Sequence, residues 1–212
     1  PLEGVGRGLS ERVVEIPWIL RSLPAGPNVR VLDVGTAFAP IVYKRLLLGQ
    51  TQTIETVDLA ENGVHGLIGH VADVRDLPFA DDSYDVATCI STLEHIGMDN
   101  EHYRIESGGG DDVTALRELG RVAGRVLLTV PGGADANLGW LRQYQPSTFR
   151  ERAAEASLSV QRMEVYAHDP VLGWGPVDEG AVGDRHFGDG VFAAAAVICA
   201  DLSHDRQVSG KP

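Results

Sequence analysis

The chain has 212 residues, 43% of them hydrophobic and 23% charged, with a formal net charge of −12. That length suits one α/β domain with its own core. The charge argues against duplex nucleic acid or an anionic membrane as partner, because the 18 basic residues are scattered and form no basic face. No run approaches the roughly 20 apolar residues that span a bilayer. Residues 1–7 lack the basic and apolar regions of a signal peptide and also lack an initiator Met. The expectation is a cytoplasmic protein that has lost some N-terminal residues. Cys89 and Cys199 both lie in apolar runs, the pattern of buried free thiols in a reducing compartment.

Along the chain, residues 9–23 place Val13, Val14, Ile16, Ile19, Leu20 and Leu23 at helical spacing, interrupted by Pro17. Ser10 is the expected cap, with Glu11 in the first turn, and Pro24-Ala-Gly-Pro27 ends the element. Residues 29–34 predict a first strand, apolar enough to be buried on both faces. Residues 40–48 predict a helix that tolerates Pro40 in its first turn. Strands follow at 54–57, 69–71 and 84–90. The Gly108-Gly-Gly110 run marks residues 100–112 as a flexible loop. Residues 111–122 predict a helix with Val113, Leu116, Leu119 and Val122 on one face. A fifth strand covers 125–130, stopped by Pro131-Gly-Gly, and a helix covers 147–156. Two last strands, 158–166 and 191–202, are separated by a Gly-rich loop, 167–190, without helical pattern. The alternation implies a parallel sheet with right-handed crossovers. The final pair reads as a hairpin, so the last strand is expected to run antiparallel.

Four strand ends carry chemistry. The first is Val31-Leu-Asp-Val-Gly-Thr-Ala-Phe-Ala39. Ligands of open α/β sheets bind beyond the carboxyl ends of the strands, and Gly35 lets backbone approach a ligand closely. Ala37 and Ala39 stand where further glycines would complete a GxGxxG signature, which counts against a nicotinamide or flavin enzyme. Asp33 suits a cationic amino group instead. Asp58 closes the second strand about 20 residues after the glycine turn, where a carboxylate can accept both hydroxyls of a ribose. Asp73 follows the third strand, within reach of an adenine amino group, with Leu77-Pro78-Phe79 beside it. Residues 83–96 give a buried strand, a polar turn and a helix start. Each stretch alone is an ordinary strand end; their order and spacing make the signal.

As a set these residues resemble the class I S-adenosylmethionine-dependent methyltransferases of the type 11 kind, over roughly residues 29–133. The resemblance implies S-adenosylmethionine as cofactor and S-adenosylhomocysteine as product. It implies that Asp33 and Gly35, with Thr36 and Ala37, hold the methionine part. Asp58 and Leu59 would then hold the ribose, Asp73 and Val74 would meet the adenine, and Ile90 and Ser91 would line the cofactor. It also implies a Rossmann-like seven-stranded sheet, mostly parallel with an antiparallel last strand and helices on both faces. On this reading the chain is one domain, with 1–28 a helical cover, 29–133 the cofactor-binding core and 134–212 the substrate-side elements and final hairpin. Two departures stand out: Ala37 and Ala39 replace glycines usual in the family, and the family's Leu-Lys-Pro-Gly-Gly turn is reduced to Arg121-Val-Ala-Gly124.

For catalysis, Glu94 and His95 fall at the pocket edge, and His95 is a candidate general base. Glu94-His95 also resembles part of a Glu-x-x-Glu-His metal motif. Ser91 replaces its first Glu, so no metal is expected; His168, Asp184 and His186 could complete a site only if their loop folds back. Trp140, Tyr144, Trp174 and His186 are candidate substrate contacts. The expected activity is O-methylation of a small molecule, a natural product or sugar-containing compound, on the resemblance of residues 90–97 to methyltransferases of glycan and antibiotic pathways. The two alanines motivate an alternative, a non-catalytic cofactor-binding or partner module of the same fold.

Overall fold

A computed structural model describes residues 8–101, 103–104, 111–189 and 194–204. The opening residues 1–7 and the glycine run 108–110, both read above, lie outside the described residues. The strands are β1 (Arg30–Val34), β2 (Thr53–Asp58), β3 (Ile68–Val71), β4 (Val86–Ile90), β5 (Arg125–Gly132), β6 (Ala136–Asn137), β7 (Arg142–Gln143), β8 (Leu158–Asp169), β9 (Gly173–Val177) and β10 (Ala196–His204). The helices are α1 (Arg12–Ser22), α2 (Ile41–Leu48), α3 (Asp112–Val122) and α4 (Pro146–Glu155).

Eight strands form one sheet in the order β3-β2-β1-β4-β5-β10-β8-β9. The first five are parallel, and β10 runs antiparallel between β5 and β8. The order reverses beside β1, so the carboxyl ends of β1 and β4 open a crevice there, the switch point at which ligands bind in such sheets. The antiparallel last strand is as expected, but the expected count of seven is corrected to eight. The extra edge strand, β9, pairs with β8 inside the stretch that reads as loop. Its sequence, Gly-Trp-Gly-Pro-Val, has the glycine and proline content that hides a strand, and an edge position tolerates Pro176 because one side of the strand needs no donor.

The core lies on both faces. One side packs α3 and α4, through Leu116, Leu119 and Phe149, onto the sheet. The other packs Trp18 and Ile19 of α1 with Tyr43 and Leu47 of α2. Asp111 caps α3, accepting from the Thr114 N–H at 3.0 Å. Ser10 does not cap α1 with its side chain; Glu11 holds the N-cap position in helical geometry with no side-chain cap bond. The helix continues through Pro17. β5 runs through Pro131 to Gly132, because Pro131 sits opposite Val197 and its carbonyl accepts from the Tyr144 N–H. The helix expected after residue 93 is a single 3₁₀ turn, Leu93–His95: Ile96 is already extended and Gly97 turns left-handed at φ +74°. Cys89 and Cys199 are free, buried thiols, and burial pushes both up from their ordinary pKa. No helix among the described residues is long and apolar enough to cross a membrane.

Candidate active site

A cleft of about 790 Å³ opens where the carboxyl ends of β1, β2 and β4 meet. Its walls include Gly35, Asp58, Asp73, Ile90, Ser91 and Trp140. Gly35 is fixed by two independent demands. Its φ is +85°, and a methyl there would overlap the Thr92 side chain. Its N–H donates to the Val57 carbonyl at 3.0 Å, tying the turn after β1 to β2.

Asp33 points elsewhere. It is 1% exposed, and its carboxylate accepts from the hydroxyls of Thr36 at 2.6 Å, Tyr43 at 2.5 Å and Thr88 at 2.5 Å. Burial raises its pKa, and the three hydroxyl bonds pull the other way. Asp33 and Thr36 therefore organise the turn from behind and do not line the cleft. Ala37 does not line it either; its N–H donates to Asp58 Oδ2 at 2.7 Å, and its carbonyl accepts from the buried Lys44 ammonium at 2.6 Å. Lys44 also donates to the Asn62 carbonyl at 2.7 Å, so one cation pins the loops after β1 and β2. Of the two alanines only Ala39 is on the cleft wall.

Asp58 and Leu59 line the cleft together. Asp58 Oδ1 accepts from the Leu59 N–H at 2.6 Å and from the Tyr103 hydroxyl. Tyr103 packs edge-on against Phe38, with ring centroids 5.2 Å apart, across the mouth. Asp73 is gripped by Arg75, whose Nη2 lies 2.6 Å from Oδ2; this pair holds the Asp73 carboxyl below its ordinary range. Val74, Ile90 and Ser91 complete the apolar and polar lining. Ser91 adopts φ +40° and donates to Glu15 Oε1 at 2.6 Å.

A second cavity of about 160 Å³ shares Arg12, Ser91, His95 and Trp140 with the cleft. Glu94 lines it, 2% exposed, and burial pushes its carboxyl up to about 8. Its Oε2 has no hydrogen-bond partner among the described residues. His95 Nδ1 donates to the Trp140 carbonyl at 2.8 Å, and the imidazole stacks on the indole with centroids 5.6 Å apart. In the neutral ring that bond leaves Nε2 as the acceptor nitrogen, 3.9 Å from Glu94 Oε1.

Of the four residues expected at the substrate, only Trp140 lines either cavity. Tyr144 is a core side chain whose hydroxyl donates to Asp112 Oδ2 at 2.8 Å. Trp174, on β9, donates to the Leu9 carbonyl at 3.0 Å. His186 is exposed, with its N–H bonded to Asp189. His168 packs edge-on against Trp174, and neither it nor Asp184 lines either of these two cavities. Sequence reading missed Arg12, Glu15 and Tyr103. Glu15 was legible in part, as a charge on the apolar face of α1, where it is fully buried against Ser91, Thr129 and Arg12.

The chemistry of this donor set suits a ligand with a polar sugar and a flat apolar ring, held by one carboxylate, exposed backbone and aliphatic walls. Residues 33–124 match the family described as a methyltransferase domain. Over that stretch, less than half of its length, the chain is similar to a methyltransferase domain. Among proteins of curated function none matches its sequence. Among solved structures it resembles a putative methyltransferase from Bacillus halodurans at 13% identity and TM-score 0.57, covering 90% of this chain and 98% of that one. It also resembles the Burkholderia thailandensis 1,6-didemethyltoxoflavin-N1-methyltransferase, solved with 1,6-didemethyltoxoflavin and S-adenosylhomocysteine, at 15% identity and TM-score 0.55, covering 85% and 73%. The [4+2]-cyclase SpnF matches at 15% identity and TM-score 0.59, covering 91% and 80%. At these identities the likeness is one of fold.

Proposed function

We propose that this methyltransferase domain binds S-adenosylmethionine in the large cleft and methylates a small molecule that enters beside Ser91 and Trp140. The observation that carries the reading is the convergence of Gly35, Asp58, Val74 and Ile90 on one cleft at the sheet's switch point, in the order their motifs have in the chain. When bound, the cofactor supplies a sulfonium methyl group. The chain's own parts are positional. Gly35 admits the ligand against the backbone; Asp58 accepts from ribose hydroxyls once Tyr103 yields its place; Val74 and Leu59 flank the adenine and ribose.

Glu94 faces the acceptor side from the smaller cavity; burial pushes its carboxyl up to about 8, so it holds its proton at neutral pH and accepts one only after a bound cation has ionised it. His95 acts on the same edge by fixing the Trp140 backbone and ring. On this division, residues 1–28 cover the site, 29–133 hold the donor and 134–212 shape the acceptor side. The finer reading is an oxygen acceptor in a natural product or sugar-containing compound.

A second reading, a domain of this fold that binds cofactor without transferring methyl, draws on the likeness to a cyclase. Calorimetry with S-adenosylmethionine and S-adenosylhomocysteine tests the first step. Binding of both in the micromolar range supports the donor site, and no heat at millimolar concentration removes it. Turnover on a panel of hydroxylated and aminated acceptors, read by mass spectrometry, then separates the two readings.

A further inference from the structure

The smaller cavity has walls that the donor site does not need. Glu11, Glu15 and Glu94 contribute three carboxyl groups to it, against the single guanidinium of Arg12. Glu15 is satisfied: Oε1 accepts from Ser91 and Thr129, and Oε2 from Arg12 at 2.5 Å. The other two are not. Oε2 of Glu94 and Oε2 of Glu11 are both buried and have no hydrogen-bond partner among the described residues. Two buried acceptors in one cavity are costly unless a donor enters with the ligand. Trp140 and Phe187 form the apolar side, edge to face at 5.5 Å.

We propose that this cavity is an ammonium-recognising subsite, and that the substrate is a small amine-bearing molecule whose cationic head sits between Glu11, Glu94 and the Trp140–Phe187 pair. A hydroxyl supplies one donor, whereas an ammonium supplies three and so can meet both orphaned oxygens at once. The surplus of carboxyl groups excludes an anion, and an aromatic pair on the remaining side adds attraction for a cation and none for a neutral alcohol. The volume holds a head group only. The rest of the molecule extends through the shared opening at Ser91 and His95 into the cleft. The proposal rests on the donor reading in one respect, that a transferable methyl lies next door; recognition of the amine does not need it. An aminated sugar or natural product satisfies this subsite and the oxygen acceptor together.

The test uses the full chain and two matched pairs of probes, benzylamine with benzyl alcohol and tyramine with its alcohol counterpart, titrated by calorimetry with and without saturating S-adenosylhomocysteine. Each amine is expected to bind roughly tenfold or more tightly than its alcohol, a difference of about 1.4 kcal/mol. Amine binding at neutral pH is also expected to release protons, read as heat that depends on the buffer, because the cation drives the protonated Glu94 to ionise. The groups facing Glu94 in this cavity are Glu11 at the N-cap of α1, Arg12 and Glu15 within α1, and His95 of its own turn. Glu94→Gln is expected to abolish the proton release and bring the amine-to-alcohol ratio toward one. Glu11→Gln, which removes the second carboxylate from the less buried side, is expected to lower the ratio while leaving the Glu94 carboxyl in place and its proton release detectable. Equal or weaker binding of the amines, no binding of either member of a pair at millimolar concentration, or an unchanged ratio in both variants overturns the subsite. Loss of S-adenosylhomocysteine binding with the amine preference intact would overturn the donor reading and leave the subsite standing.

Discussion

The wall made by Gly35, Asp58 and Ile90 and the wall made by Glu94, Trp140 and Phe187 meet at Ser91, yet they are held in different ways. On the first wall each functional residue sits at or next to a strand end and is fixed by short backbone bonds. The Gly35 N–H reaches Val57, the Ala37 N–H reaches Asp58 and the Ser91 N–H reaches Thr129. On the second wall the residues come from α1, the 3₁₀ turn after β4, the turn between β6 and β7, and the segment before β10. There, carboxyl groups are buried with acceptors unmet among the described residues. On the donor side the polar groups are met without a ligand, Asp58 by the Leu59 N–H and the Tyr103 hydroxyl that a ribose would displace. The acceptor side is incomplete, and a ligand is what relieves it.

The harshest way to break the first wall is Gly35→Ala. The left-handed backbone costs a non-glycine residue about 1–2 kcal/mol, and the overlap with Thr92 adds to it. S-adenosylhomocysteine affinity is expected to fall by roughly a hundredfold or more, with a lower melting temperature. Adding Thr92→Ala should recover part of the stability, because it removes the clash with the Thr92 hydroxyl and methyl but leaves its Cβ at 2.8 Å and the φ unchanged. Full affinity in the single variant would mean that the turn is not the place where the ligand meets the backbone.

Asp33→Asn and Asp58→Ala separate building the wall from touching the ligand. Asp33 serves three hydroxyls in a fully buried setting, so its amide variant is expected to lose about 2–3 kcal/mol of stability by urea unfolding. Affinity of the folded protein should change much less. Asp58 lies on the cleft, so its alanine variant should lose about 1–3 kcal/mol of cofactor binding in calorimetry with a smaller loss of stability. If the two variants exchange these profiles, Asp33 contacts the ligand and Asp58 is the organiser.

The contrast between the walls also explains what the sequence could reveal. Gly35, Asp58 and Asp73 are legible because strand, turn and acid follow one another within a few residues, and the sheet places successive strand ends side by side. Asp33 is legible as important but not in its role, because its partners Tyr43 and Thr88 lie on α2 and β4. Tyr144 and Trp140 are close in sequence and chemically alike, yet one faces Asp112 in the core and the other the opening. Which way each turns depends on the short β6–β7 ribbon, whose two-residue strands carry no periodicity. β9 escaped for a related reason, since glycine and proline mask an edge strand. Glu15 shows only as a charge on an apolar helix face, and nothing local marks the role of Glu11, because their partners in the small cavity are distant in the chain.

Glu94→Gln tests the second wall by a small effect with a distinctive pH dependence. Burial holds the Glu94 carboxyl in the fold near 8, against 4.5 in the unfolded chain. Between those values the folded state binds the proton that the unfolded state has lost, so the stability this group contributes is full below pH 4.5 and falls as pH rises toward about 8. The slope in that window is about 1.4 kcal/mol per pH unit. Glutamine does not titrate, so the variant should gain on the parent by about 1.4 kcal/mol between roughly pH 6 and pH 7 in urea unfolding. Glu11 is raised in the same direction, also by burial first, and its charge is one of those that raise Glu94, so Glu11→Gln is the matched control for its share of the slope. Gly35→Ala and Asp58→Ala should instead shift stability by the same amount at both pH values. Parallel pH profiles for Glu94→Gln and the parent would mean that the Glu94 carboxyl is already met by a donor, and the acceptor wall would then be as complete without a ligand as the donor wall.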